Sequence, residues 1–351
     1  MDTNASDDFA NELLRWYDLH GRKDLPWQKQ RNAYRVWLSE VMLQQTQVRT
    51  VIAYFERFVE ALPTLADLAA AQEDRVLALW SGLGYYSRAR NLHRTAKICI
   101  ERHAGDLPRE LAALADLPGI GRSTAAAILA QAFGERHAIL DGNVRRVLAR
   151  WHGVHGWPGA TVAQRTLWTH AEEHTPHHRI VDYTQALMDL GATLCTRTRP
   201  QCVRCPVASG CVALRDGLTG VLPHSKPKRP MPTRSTTTLI VRDAQGRVLL
   251  ERRPPTGVWA RLWSLPEIDD AANALRELRE RYSVDAQDPT PLDSFVHTFS
   301  HYHLRITPLL LAGMPNLDRI GDDGDRAWTS REQRGSLGLP APVRKLLESL
   351  P

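Results

Sequence analysis

CTRTRPQCVRCPVASGC, residues 195 to 211, carries four of the chain's five cysteines in the spacing C-x6-C-x2-C-x5-C. Cys195, Cys202, Cys205 and Cys211 thus form one lasso, while Cys99 stands alone between Ile98 and Ile100 and reads as a buried helical residue. Clustered thiols in a chain with no export signal read as metal ligands, because a reducing compartment keeps thiols free and thiolates bind soft metals. Zinc and iron-sulfur are the two candidates. A zinc ribbon usually brings two C-x-x-C knuckles, whereas here there is one, flanked by two wider arms, which favours a [4Fe-4S] cluster. Two disulfides would suit a secreted chain, and nothing else here has that character.

Upstream of this loop the apolar residues recur at helical spacing over 9–19, 34–59, 85–100, 122–133, 142–151, 161–173 and 178–194. The loop therefore closes an all-α domain, expected to span 1–222. Downstream comes Pro223-His224-Ser225-Lys226-Pro227-Lys228-Arg229-Pro230-Met231-Pro232, whose four prolines exclude regular structure, so 223–233 is expected to be a basic, semi-rigid linker. Beyond it the period falls to two. Segments 236–241 and 248–253 flank a turn at 243–246, 304–311 is another strand candidate, and one helix is expected over 271–282. The second domain, 234–351, is accordingly expected to be α+β, making the chain multidomain.

The bulk figures suit this division: 351 residues, 43% hydrophobic and 24% charged, are enough for two ordinary globular cores. No apolar run is long enough for a bilayer and no basic-then-apolar leader opens the chain, so a cytoplasmic protein without a membrane partner is expected. The net charge of +6 rests on 39 Arg and 6 Lys, a balance suited to phosphate contacts, although Arg richness also follows genomic bias.

Leu117-Pro118-Gly119-Ile120-Gly121-Arg122-Ser123-Thr124 precedes the small-residue segment AAAILAQAF. Two glycines after a proline and before a helix leave several N–H groups at a positive helix end, which suits a phosphate; an ordinary helix-helix turn would use the same residues. Asp141, just before an apolar-periodic run, reads as a helix N-cap. The same N–H groups would keep its carboxylate ionised, the state that stabilises a cationic sugar. Glu40 shares its helical stripe with Val36, Trp37 and Leu43. Desolvation there would raise its pKa and hold a proton near neutrality, whereas a Glu at the stripe's edge would be exposed and unshifted. One protonated and one ionised carboxyl group is the division of labour that glycoside-type cleavage requires. Gln44-Gln45-Thr46-Gln47, placed on Glu40's helix, and Leu83-Gly84-Tyr85-Tyr86 could enter a base stack or serve as surface and core.

Taken together, SEVMLQQTQV (39–48), LPGIGRSTA (117–125), LDGNVRRVL (140–148) and the four-cysteine loop resemble the helix-hairpin-helix DNA glycosylases with a terminal iron-sulfur cluster, and within them the adenine-specific branch. The resemblance runs over nearly the whole chain, including a C-terminal domain similar to the Nudix fold. It implies a monomeric enzyme acting on double-stranded DNA, flipping out and removing adenine mispaired with 8-oxoguanine or guanine. By position, Glu40 is similar to the family's general acid and Asp141 to its oxocarbenium-stabilising carboxylate, with Asn143 beside it. Gln45, Thr46 and Tyr85 match residues around the opened stack. Gly119, Gly121 and Ser123 match the hairpin that grips DNA, and Trp27, Leu43 and Gln185 match the adenine pocket. Phe299, Ser300 and His301 match a loop that senses 8-oxoguanine.

Two departures bear on the chemistry. Glycosylase-lyases of the endonuclease III type share the hairpin and cysteine spacing but carry lysine where Ser123 stands, so a Schiff base is not expected. Some adenine-specific relatives have tyrosine there, and arginine can occur where this chain has Lys23 and Gln28. In the second domain Arg276-Glu277-Leu278-Arg279-Glu280-Arg281 echoes the magnesium-binding Nudix motif, but its required Gly and Glu fall on Leu262 and Ile268. A recognition module without hydrolase activity is expected. The competing readings are an oxidised-pyrimidine glycosylase-lyase and a non-catalytic iron-sulfur DNA-binding protein.

Overall fold

A computed structural model of the chain describes residues 3–227, 230–315 and 324–350, so Lys228 and Arg229 of the linker lie outside the described residues. The chain divides into two compact units, residues 1–70 with 91–227 and residues 71–90 with 228–351. In order, the helices are α1 (Thr3–His20), α2 (Ala33–Leu43), α3 (Val48–Ala61), α4 (Leu65–Ala70), α5 (Glu73–Trp80), α6 (Ser87–Arg102), α7 (Leu111–Ala115), α8 (Arg122–Phe133), α9 (Gly142–Trp151), α10 (Thr161–His174), α11 (Ile180–Asp189) and α12 (Val212–Arg215).

The first unit is built around α8. Its Ala125, Ala126, Ala127 and Ala130 are buried, and these small side chains let α2 and α11 approach closely. Phe9, Leu13, Val144, Leu148, Leu167, Tyr183 and Leu187 from α1, α9, α10 and α11 fill the space beside it. Residues 116–121 join α7 to α8 as the hairpin. Leu117 and Ile120 point inward while Gly119 and Gly121 stay exposed, and the Thr95 hydroxyl donates to the Pro118 carbonyl at 3.0 Å. Gly119 has φ +79°, and a Cβ there would lie 2.9 Å from that of Asn91, so both conformation and space call for glycine.

The all-α first domain is observed, with three local corrections. The helix expected over 34–59 breaks after Leu43, because Gln44 is extended and Gln45 has φ +59°; the polar run Gln44–Gln47 thus forms a turn off Glu40's helix. The helix expected from residue 85 begins at Ser87, Tyr85 being left-handed with φ +48°. The helix expected over 178–194 begins after the left-handed Arg179 and ends in a π-helical turn, Leu190–Leu194, directly before Cys195.

In the second unit the strands are β1 (Thr233–Arg242), β2 (Val248–Arg252), β3 (Trp263–Ser264), β4 (Glu267–Ile268), β5 (Val284–Pro291), β6 (Phe295–Thr298), β7 (His303–Pro315) and β8 (Arg326–Thr329). They form one mixed sheet in which β1 runs parallel to β7 and antiparallel to β2. Helices α13 (Ala274–Tyr282), α14 (Arg331–Arg334) and α15 (Ala341–Glu348) accompany it. The alternation of β1 sorts its side chains. Leu239 and Val241 pack with Leu278 and Tyr282 of α13, and Ile240 packs with Val343 and Leu347 of α15. The expected helix over 271–282 opens as a short 3-10 turn before α13.

Segment 71–90 groups with this unit, which the sequence boundaries did not anticipate. Asp74 on α5 makes a two-point ion pair with Arg252 on β2 at 2.7 and 2.8 Å. The Tyr86 hydroxyl donates to the Leu339 carbonyl at 2.9 Å, and Arg90 donates to that of Ala260. Among the described residues no helix is long and apolar enough to cross a membrane.

Candidate active site

One pocket of about 480 Å³ in the first unit brings together Glu40 and Leu43 from α2, Thr46 from the following turn, Asp141 and Asn143 from the start of α9, Gln185 from α11, and Trp27. These residues are up to 158 positions apart in sequence, and the packing of α2, α9 and α11 around α8 gathers them. Trp27 is fixed edge-on against Phe55, with ring centroids 5.5 Å apart. Gln45 is exposed and does not line the pocket, because the left-handed turn aims it away.

Glu40 keeps some solvent contact through the pocket, yet the apolar surroundings strip most of its hydration. That desolvation, with a smaller push from the negative charge of Asp141, drives its carboxyl up to about 8. It is therefore a proton-carrying acid at neutral pH. Asp141 caps α9, its Oδ1 accepting from the Val144 N–H at 2.8 Å. Contrary to the sequence expectation of a carboxylate held firmly ionised, burial outweighs the helix N–H groups and the nearby Arg146 and Arg145, and its pKa is raised. The two carboxyl groups differ in their partners: the helix N–H groups, Arg146 and Arg145 oppose the rise at Asp141, whereas the neighbouring charge of Asp141 adds to it at Glu40.

Ser123 is half-buried and does not line the pocket. Its hydroxyl oxygen accepts the Leu140 N–H at 2.9 Å, tying α8 to the residue before Asp141. Asn143 Oδ1 accepts from Arg146 at 2.8 Å, and its Cβ and backbone lie so close to Gly191 that a side chain there would collide.

Sequence reasoning missed Arg22 and Asp189. Asp189 is 1% exposed and accepts the Arg22 backbone N–H at 2.8 Å and its guanidinium at 3.0 and 2.6 Å. It also accepts Nε2 of Gln185 at 2.8 Å, one helical turn away. The network orients both Gln185 and Arg22 at the pocket. The available signal was Asp189 itself, an acid in the apolar run Ala186 to Leu194.

The four cysteines are free, half-buried, and line one small cavity with Leu194, Pro200 and Arg150. Among the described residues no group of three or more ligating side chains stands in the geometry of a single metal ion. The donor set nonetheless fits a larger, anionic group. Four thiols converge beside Arg150, whose guanidinium lies 3.4 Å from Cys195 Sγ and also donates to the carbonyls of Thr196, Arg197 and Leu222. Arg146 clamps the Cys195 carbonyl at 2.7 Å.

In the second unit Tyr85 is 50% exposed at the tip of its turn, with the Arg88 guanidinium over its ring at 5.6 Å. Phe299, Ser300 and His301 form the β6–β7 turn. Phe299 is anchored among Trp259, His297 and Tyr302, while Ser300 and His301 are exposed. Leu262 and Ile268, expected from the sequence to stand in place of the Gly and Glu of the Nudix motif, are buried.

Residues 38–173 match the HhH-GPD superfamily of base excision DNA repair proteins, and residues 237–349 match the NUDIX domain. An adenine DNA glycosylase of Buchnera aphidicola is 35% identical over 342 residues, covering 97% of each chain. That of Homo sapiens is 35% identical over 401 residues, covering 96% of this chain and 73% of its own. A thermostable thymine-DNA glycosylase of known structure aligns with TM-score 0.55 and 27% identity, over 61% of this chain and 98% of its own. An endonuclease III in complex with DNA shares the fold at TM-score 0.53 and 22% identity, over 62% of this chain and 99% of its own. With identity sustained along nearly the full length, the chain belongs to the adenine DNA glycosylase family of helix-hairpin-helix base excision repair proteins.

Proposed function

We propose that the chain is a monofunctional glycosylase that hydrolyses the N-glycosidic bond of adenine opposite 8-oxoguanine or guanine in duplex DNA. The observation that carries this reading is the pair of unlike carboxyl groups on one pocket, Glu40 shifted up to about 8 and Asp141 capped by α9.

Adenine, flipped from the duplex, enters beside Trp27, Leu43 and Gln185. Glu40 donates its proton to the base so that it leaves neutral, Asp141 faces the oxocarbenium ion developing at the sugar, and a water adds to the anomeric carbon and releases a proton to solvent, completing the hydrolysis. Asn143, fixed by Arg146, sits beside that carboxylate, and Thr46 borders the entrance. Ser123 supplies no amine, so strand cleavage through a Schiff base is not part of the reaction. Gly119 and Gly121 present hairpin N–H groups to a phosphate, Tyr85 and Gln45 border the opened stack, and Phe299, Ser300 and His301 read the base opposite adenine.

Cys195, Cys202, Cys205 and Cys211 would hold a [4Fe-4S] cluster, with Arg150 offsetting the cluster's charge. The cluster would supply a rigid, anionic core to the loop. The protein works as a monomer on DNA in the cytoplasm.

End-labelled duplexes carrying A opposite 8-oxoguanine, A opposite T, and thymine glycol opposite A test this reading. Cleavage of the first alone, and only after hot alkali, is expected. Alkali-independent nicking of the thymine-glycol duplex would establish a glycosylase-lyase instead.

A further inference from the structure

A second cavity, of about 650 Å³, adjoins the start of α9, lined by Arg145, Arg146, Arg197, Trp157, His224 and Lys226 together with Gly142. No acidic side chain lines it among the described residues, so it is a concave cationic site. Two of its nitrogens, Arg145 Nε and His224 Nε2, are buried and make no hydrogen bond among the described residues. An unpaired guanidinium donor is costly, and in a cavity lined by Arg145, Arg146, Arg197 and Lys226 without an acid the group that would balance these charges is an oxygen-rich anion.

The walls are built rather than accidental. Arg150 holds the Leu222 carbonyl at 2.7 Å and the Arg197 carbonyl at 3.0 Å, fixing the first linker residues against the cysteine loop. Lys226 lies over the Trp157 ring at 5.3 Å, and the His224 ring packs edge-on against His155 at 5.5 Å. The linker's opening residues thus form a wall of the site.

Its position identifies the anion. Asp141 and Asn143 line the catalytic pocket, while Gly142, between them, lines this one, so the two cavities flank the same first turn of α9. A nucleotide with its base in the first pocket carries its own backbone over that helix N-terminus. We propose that this second cavity binds a DNA backbone phosphate flanking the flipped adenosine, and that His224 and Lys226 make the start of the linker part of the DNA-binding surface. The inference rests on the glycosylase reading for the placement of adenine.

Binding of the full-length, cluster-loaded protein to a duplex bearing uncleavable 2′-fluoro-deoxyadenosine opposite 8-oxoguanine tests it, with affinity followed across salt concentration. Lys226→Glu and His224→Ala should each weaken binding several-fold, the former lowering the salt slope by about 1, and Lys226→Arg should restore it. A single neutral methylphosphonate at one of the two flanking phosphates should weaken the parent protein but have little further effect on Lys226→Glu. Unchanged salt slopes, or losses that simply add to those of both methylphosphonates, would overturn the proposal. Failure to release adenine from the cleavable duplex would instead refute the glycosylase reading, while the salt slopes would still report on the linker.

Discussion

At the scale of single residues, the chemistry turns on how differently two buried carboxyl groups are partnered. Glu40 was legible as an acid in an apolar stripe, but whether it lay inside or at the edge depended on α8 and α9, which no local pattern reports. Its raised pKa sets two expectations. Adenine release under single-turnover conditions should be flat below neutrality and fall as pH rises through about 8, because the proton donor is lost. The same ionisation should also cost stability. A folded-state pKa above the unfolded value of 4.5 means stability fully present below 4.5 and lost as pH rises through about 8. Glu40→Gln should therefore gain melting temperature relative to the parent as pH rises across that window; a constant difference would show that Glu40 is not desolvated. Asp141→Asn keeps a cap oxygen but removes the charge, and should slow base release by a barrier of about 3 kcal/mol, the scale of losing a preorganised electrostatic group. A mild effect would leave Asp141 only the role of a helix cap.

At the scale of elements, caps and glycines were the most legible features. The bounds of α8 and α9 fall where Gly121 and Asp141 indicate, and the left-handed Gly119 explains the hairpin. The break after Leu43 was not legible, since Gln44–Gln47 carries no glycine or proline and its apolar flanks keep helical spacing across the gap. Short α4, α5 and α7 offer too few turns to show a period, and β5, mostly exposed, has no alternation to read. The Arg22–Asp189 pair joins residues 167 apart and is invisible to any window. Asp189→Ala would strand the Arg22 guanidinium and free Gln185. It should cost roughly 3 kcal/mol of stability, as breaking a buried pair does, and raise KM for the mismatched duplex; a variant with parental denaturation midpoint and KM would remove the network from the site.

At the scale of the molecule, the two-domain plan was readable from the change of period across the proline linker. The grouping of 71–90 with the second unit was not, because it depends on Asp74 meeting Arg252 and Tyr86 meeting Leu339. This changes how the recognition domain should be probed. Truncation at residue 234 would also strip partners from α5 and the Tyr85 turn, confounding recognition with support of that turn. His301→Ala, at an exposed position, is cleaner, and should reduce the preference for 8-oxoguanine over guanine opposite adenine with little change in melting temperature; equal losses on both mismatches would argue against a sensing role.

Base release depends above all on the proton that Glu40 delivers. Single-turnover adenine release by Glu40→Gln, at protein concentrations that saturate an A·8-oxoguanine duplex, tests it most directly. Parental affinity for the duplex with base release all but abolished is expected. Release at the parental rate would contradict it.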